Sequence, residues 1–216
     1  MRTMREEIER YWRELTQVTW TMPFGALADA AEVLLDCYNR DATVFVLGNG
    51  GSAATASHFA CDLAKGTLVA GSPAFRVMPL TDNVPLLTAW ANDTSYERVF
   101  AEQLSALVRA GDVVVAISAS GTSPNVLAAA RVARQSGATT IALTGRSGGW
   151  LYGLADLTIR VPADLIEQVE DAHVVIAHSL CVVLRERLRA DAAGRSSNIS
   201  TLHEVVTEAA AADLGT

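Results

Sequence analysis

His58 and Asp62 stand four residues apart in a stretch, Ala53–Lys65, that holds no Gly or Pro. At helical pitch both side chains fall on one face. An imidazole and a carboxylate so paired can move a proton, or offer two ligands to a divalent ion. Just upstream, Gly48-Asn49-Gly50-Gly51-Ser52 forms a Gly-rich turn ahead of that helix. Such a turn aims backbone N–H groups and a helix N-terminus at an anion, although a plain tight βα turn would have the same composition. Its glycines do not follow the dinucleotide spacing and no Gly-Lys-Ser/Thr follows them, so no nucleotide cofactor is expected. A second cradle is Ser118-Ala119-Ser120-Gly121-Thr122-Ser123, with four hydroxyls and a Gly in six residues. A Ser-rich helix cap would use one or two of those hydroxyls; a phosphate could use them all without a Lys. The last long helix, expected over Ile166 to Ala190, carries Glu167, Gln168, Glu170, Asp171, His173 and His178. The acids suit a solvated helix N-terminus. His178, flanked by Ala177, Ser179 and Leu180, lies in an apolar zone and reads either as a hydrogen-bonded core histidine or as a functional group. Anion cradles beside a titratable pair suggest a sugar-phosphate site.

These side chains need a scaffold, and the apolar runs supply it. Val44–Leu47, Phe75–Met78, Val113–Ile117, Thr139–Leu143 and Asp156–Val161 read as strands, the third being the clearest buried one. Helices are expected between them, over 53–65, 84–91, 96–109 (with Asp93, in an Asn92-Asp93 turn, as its cap), 124–136 and a short one reaching Ala155. Pro85 and Pro124 suit first helical turns. Strands alternating with helices at this spacing give a doubly wound α/β fold on a parallel sheet, whose ligands bind beyond the strand C-termini, where both cradles fall. Two amphipathic helices, 3–20 and 26–40, precede the first strand. Ile8, Tyr11, Trp12, Leu15 and Val18 form a stripe on the first, which either packs on its own domain or covers another subunit. One domain over 1–190 is expected, with 1–40 as a helical interface segment and 43–190 as the core; 191–216 reads as a flexible tail with a weak helix.

The 216-residue chain is half hydrophobic, with a net charge of −7 and a pI near 5.1. No basic excess exists to neutralise nucleic-acid phosphates, so nucleic-acid binding is not expected. Cys37, Cys61 and Cys181 are far apart in apolar or helical context and read as small buried side chains in a reducing compartment. The charged N-terminus does not read as a signal peptide, and no apolar run approaches the ~20 residues that span a bilayer. The expectation is a cytoplasmic protein without membrane contact.

Taken together, GNGGS, then HFA with an acidic residue, AND, ISASGTSPNV, LTGRSGG and an acid-rich helix with H-x4-H resemble the sugar isomerase (SIS) domain family, and within it the sedoheptulose-7-phosphate isomerases. The likeness runs from about Val44 to Leu188. It implies a three-layer αβα sandwich on a five-stranded parallel sheet. It also implies a homotetramer with N-terminal helices in a central bundle and active sites at subunit interfaces. The implied reaction interconverts sedoheptulose 7-phosphate and D-glycero-D-manno-heptose 7-phosphate for activated-heptose synthesis. By the resemblance Ser118, Ala119, Ser120, Thr122 and Ser123 line the phosphate site, and Asn49, Gly50, Gly51, Ser52, Asp93 and Glu170 contact the sugar. Asp62 and His178 fall on the catalytic pair, and His58, Asp62, Glu170 and His178 on a zinc-binding set. Asp62 replaces the family's Glu, Glu170 its Gln, and Ala119 its usual Thr. Glu170 and His178, eight residues apart, span about 12 Å of straight helix, so one ion could take both only if the helix distorts or another subunit contributes. The alternatives are an isomerase of another sugar phosphate, a sugar-phosphate sensor, or a non-catalytic scaffold that associates with a replication initiator. The initiator-binding relative lacks the acid and the last His, both present here as Asp62 and His178.

Overall fold

Five short apolar segments build one all-parallel sheet: β1 (Thr43–Gly48), β2 (Arg76–Pro79), β3 (Val113–Ser118), β4 (Thr139–Thr144) and β5 (Leu157–Arg160), in the spatial order β2-β1-β3-β4-β5. The structure is a computed structural model that describes the backbone of residues 2–213 and the side chains of residues 2–194. Seven α-helices surround the sheet: α1 (Met4–Trp20), α2 (Phe24–Asn39), α3 (Gly51–Cys61), α4 (Val84–Asp93), α5 (Val99–Leu107), α6 (Pro124–Gln135) and α7 (Ile166–Asp213). Alternation along the strands separates two cores. Val44, Val46, Val113, Val115, Ile117, Ile141 and Leu143 meet α2, α3 and α7 on one face, while Phe45, Leu47, Val114 and Ala116 meet α5 and α6 on the other. With both faces covered the central strands must be apolar throughout, and all six residues of β3 are buried.

From β1 the chain crosses to β2 at one edge, whereas from β3 it crosses toward β4 and β5. The loops leaving the C-terminal ends of β1 and β3 therefore diverge and leave a crevice between neighbouring strands. Gly48 at the end of β1 is in register with Ile117 of β3, which sets the two loops side by side.

Several local boundaries differ from the sequence reading. Helix α3 stops at Cys61, and Asp62–Gly66 forms a π-helical turn closed by Thr67 N–H donating to Asp62 O at 3.1 Å. Buried Thr67 fixes that turn with its own hydroxyl, which donates to Leu63 O at 2.6 Å. Helix α4 extends to Asp93 and absorbs the expected Asn92-Asp93 turn. Asp93 accepts from Asn92 Nδ2 and caps nothing; a 3₁₀ turn at Tyr96–Arg98 leads into α5 with no side-chain cap. Helix α7 does not end at Ala190 but continues to Asp213, since no Pro interrupts it and Gly194 costs only about 1 kcal/mol. The tail from Asp191 thus begins as helix, and residues 214–216 lie outside the described residues.

Helix α1 leans on the start of α7 through polar contacts: Tyr11 OH donates to Asp171 Oδ2 at 2.6 Å, and Gln168 Nε2 to Glu14 Oε2 at 3.2 Å. Of its stripe only Val18 is buried, and Ile8 and Trp12 are 60% and 64% exposed. Cys37 and Cys181 are buried, as expected, but Cys61, on the outer side of the last turn of α3, is exposed.

Candidate active site

The two Gly- and Ser-rich loops meet across the crevice through a reciprocal amide pair. Asn49 Nδ2 donates to Asn125 Oδ1 and Asn125 Nδ2 to Asn49 Oδ1, each at 2.8 Å. Gly50 caps α3 at φ +54°, a backbone that a Cβ would strain, and no side chain caps the helix, so its first amides face the crevice uncapped. Ser52 is buried in that first turn. The second loop is drawn in tightly. A Cβ on Gly121, at φ +64°, would stand 2.0 Å from Gly148 O.

Within the second loop the hydroxyls converge. Buried Ser118 Oγ lies 3.5 Å from Ser120 Oγ and 3.3 Å from Ser123 Oγ, and accepts from Gly121 N–H. Ser120 Oγ accepts from Thr122 N–H and Oγ1. Helix α6 starts beyond it with Pro124 in its first turn and no side-chain cap on Ser123. Ala119 contributes backbone, its carbonyl accepting from Gly145 N–H. The concavity here, about 370 Å³, is lined by Ala119, Ser120, Arg146 and Val169 among others. Arg146 is paired there with Asp164 at 2.8 Å, itself in the lining, and donates to Pro162 O at 2.6 Å; of the four loop hydroxyls, that of Ser120 borders the space.

Helix α3 leads from the first loop to a cluster of proton-active groups about 10 Å further on. His58 Nε2 lies 2.7 Å from His178 Nε2, and Asp62 Oδ2 lies 3.3 Å from the first and 3.6 Å from the second. One Nε2 carries the proton that joins them, and the tautomers decide which. His58 and His178 are about half exposed and Asp62 is 28% exposed, so the cluster opens to solvent and to ligand. The π turn presents Asp62: it begins there and rotates the chain relative to the α3 ladder. Such turns recur at functional sites.

A groove of about 440 Å³ runs from Gly51 past Thr55 to His58 and His178, with Glu170 on its α7 wall. The carboxylate of Glu170 packs on Gly51, where a Cβ would meet both its oxygens at 2.8 Å. Helix α7 is regular here, so Glu170 does not join the cluster within one chain: the donors that converge are those of His58, Asp62 and His178. No hydrogen bond ties Asp93 to either loop among the described residues; it is exposed at the end of α4. Two participants were not legible beforehand. Asn125 sits 76 residues from its partner in the chain, and Tyr96 OH donates to Asn49 Oδ1 at 3.0 Å.

Of the two readings open to His178 the structure has the second: it faces the groove, and the buried histidine of α7 is His173, 1% exposed. Its Nε2 lies 3.3 Å from Thr144 O and its Nδ1 has no hydrogen-bond partner. A carbonyl only accepts, so Nε2 holds the proton. Burial, only partly offset by that bond, pushes the pKa down from 6.5 to about 4.

The donor set fits a tetrahedral divalent ion. Zinc–ligand bonds of about 2.0–2.2 Å place neighbouring donors roughly 3.3 Å apart, and the separations here are 2.7, 3.3 and 3.6 Å.

Comparison with known proteins bears on the family and the overall fold. A family model described as SIS domain matches residues 8–145. A probable phosphoheptose isomerase of Thermoplasma acidophilum is 36% identical over 181 residues, which cover 84% of this chain and 99% of that protein. The phosphoheptose isomerase of Geotalea daltonii is 41% identical over 162 residues, 75% of this chain and 84% of its own. Solved phosphoheptose isomerase structures from Neisseria gonorrhoeae and Francisella tularensis match with TM-scores of 0.79 and 0.80. Each is 32% identical, and the matches cover 85% and 86% of this chain and all of theirs.

Proposed function

The chain belongs to the SIS-domain family, with the phosphoheptose isomerases, and from that premise we propose that it isomerises sedoheptulose 7-phosphate to D-glycero-D-manno-heptose 7-phosphate in the cytoplasm, for activated-heptose synthesis. One observation carries the reading. A cradle of hydroxyls and uncapped helix amides is joined, through the Asn49–Asn125 pair and along α3, to a cluster of two imidazoles and a carboxylate. That arrangement supports phosphate recognition at one end and proton transfer at the other.

The reaction needs a base at C1 of the open-chain ketose. As the C1 proton leaves, its electrons form the C1–C2 double bond and the C2 carbonyl oxygen takes up a proton, giving the enediol. Return of a proton to C2, with loss of the C1 hydroxyl proton, gives the aldehyde. His178 Nε2 is the proposed base. Asp62, beside both imidazoles, is the acid that serves the neighbouring oxygen. Ser118, Ser120, Thr122 and Ser123 hold the phosphate, with Ala119 supplying backbone, while Asn49, Gly50, Gly51, Ser52 and Glu170 border the sugar.

A divalent ion such as zinc would be held by His58, Asp62 and His178, and would supply polarisation of the substrate oxygen. It would occupy the His178 lone pair, so the base and ligand roles exclude one another at any moment. Glu170 could complete that set only from a second copy, as could Asp93 for the sugar. The exposed stripe of Met4, Ile8 and Trp12 supports a homotetramer in which α1 packs against other copies, and light scattering should read the mass of four chains rather than one. His178→Ala should abolish turnover of sedoheptulose 7-phosphate while leaving the fold intact. Turnover at the wild-type rate would refute the assignment.

A further inference from the structure

Four groups in series determine which atom Asn49 shows to a ligand. The Val126 backbone N–H can only donate, and it meets a side-chain atom of Asn125 at 2.9 Å, so that atom is Oδ1. The other carboxamide atom of Asn125 is therefore the NH₂, and it donates to Asn49 at 2.8 Å, which makes its partner Asn49 Oδ1. Asn49 Nδ2 then returns one proton to Asn125 Oδ1 at 2.8 Å. Tyr96 OH supplies a second donor to Asn49 Oδ1 at 3.0 Å. Both acceptor sites of Asn49 Oδ1 are filled and one Nδ2 proton is spent. What remains is a single N–H donor at the mouth of the crevice between the two cradles. Asn125 is 2% exposed and locked by backbone, so it does not turn over.

We propose that Asn125, backed by the Val126 amide and assisted by Tyr96, is a positioning residue that fixes Asn49 as a donor-only contact, so that the sugar atom it meets is a hydroxyl or carbonyl oxygen accepting from it. The inference rests on the reading of the crevice as a sugar-phosphate site. It separates recognition of the sugar, which needs the oriented amide, from recognition of the phosphate, which needs the Ser118–Ser123 loop. Asn125→Ala frees Asn49 to take either orientation. Tyr96→Phe removes one of two donors at an exposed residue whose ring is kept.

The test is calorimetric binding of sedoheptulose 7-phosphate and, separately, of inorganic phosphate to the full-length wild type and both variants. Asn125→Ala should weaken sugar-phosphate binding about tenfold, the equivalent of one hydrogen bond of about 1.4 kcal/mol. Tyr96→Phe should weaken it about threefold, and inorganic phosphate should bind all three proteins alike within about twofold. If Asn125→Ala does not fold, Tyr96→Phe decides. Equal losses for both ligands would make Asn125 a mere loop brace and overturn the inference, and so would unchanged sugar-phosphate binding in the variants. A wild type that binds phosphate but not the sugar phosphate would overturn the proposed function, and the inference with it.

Discussion

Lowering the pH should unfold this protein through His173 in particular. The side chain is sealed beneath α7 with a bare, unpartnered Nδ1, and protonation would place a charge there. Its pKa is about 4 when folded against 6.5 as the ordinary value. The folded pKa is the lower one, so between these values the unfolded chain binds the extra proton. The stability that neutral His173 contributes is complete above about pH 6.5 and is lost as the pH falls toward 4. At about 1.4 kcal/mol per pKa unit the whole window is worth roughly 3 kcal/mol, of which about 2 kcal/mol is gone by pH 5. Urea unfolding at pH 7.5 and pH 5, at one protein concentration, measures the loss. His173→Gln keeps a donor for Thr144 O and cannot titrate. It should start less stable than wild type and show about 2 kcal/mol less destabilisation on going to pH 5. Equal pH dependence in the two proteins would refute the reasoning.

Gly121→Ala should cost about 2–4 kcal/mol, because its Cβ would enter the Gly148 carbonyl from a backbone that disfavours side chains; a melting temperature equal to wild type would contradict the close approach of the two loops. Asp62→Asn keeps the shape but removes the charge beside two imidazoles. Zinc affinity by chelator competition should fall by more than about 100-fold, since the loss of a supporting contact alone costs about 10–100-fold. An unchanged affinity would remove Asp62 from the metal set.

The scaffold was legible because its signals are local. Val113–Ile117 could only be a buried strand, and Gly50 and Gly121 mark loops that need unusual backbone. His58 and Asp62 were legible for the same reason, since four residues of helix fix their common face. His178 and His173 were not told apart because immediate neighbours say little about which way a helical side chain points. The 3.6 period does tell them apart. His173 shares its side with Val169, Ile176, Ala177 and Leu180, all buried, whereas His178 follows Glu170 and Val174 toward the groove. Asn125 was hidden for a different reason: its partner is Asn49, and only the sheet order brings their loops together. The π turn at Asp62 leaves no trace in helix propensity, because Asp62-Leu63-Ala64-Lys65 suits an α-helix equally well. Trp12 belongs to a stripe that the pattern leaves either to its own domain or to another copy, and in the single chain it is open.

The central claim is proton transfer between C1 and C2 of sedoheptulose 7-phosphate, and NMR in D₂O tests it most directly. The protein is incubated with that sugar phosphate, with and without prior chelation and zinc add-back. The expected product is an aldoheptose 7-phosphate carrying deuterium at C2. A correctly assembled protein that gives no aldose, and leaves the C1 protons of the ketose unexchanged in every arm, would contradict it.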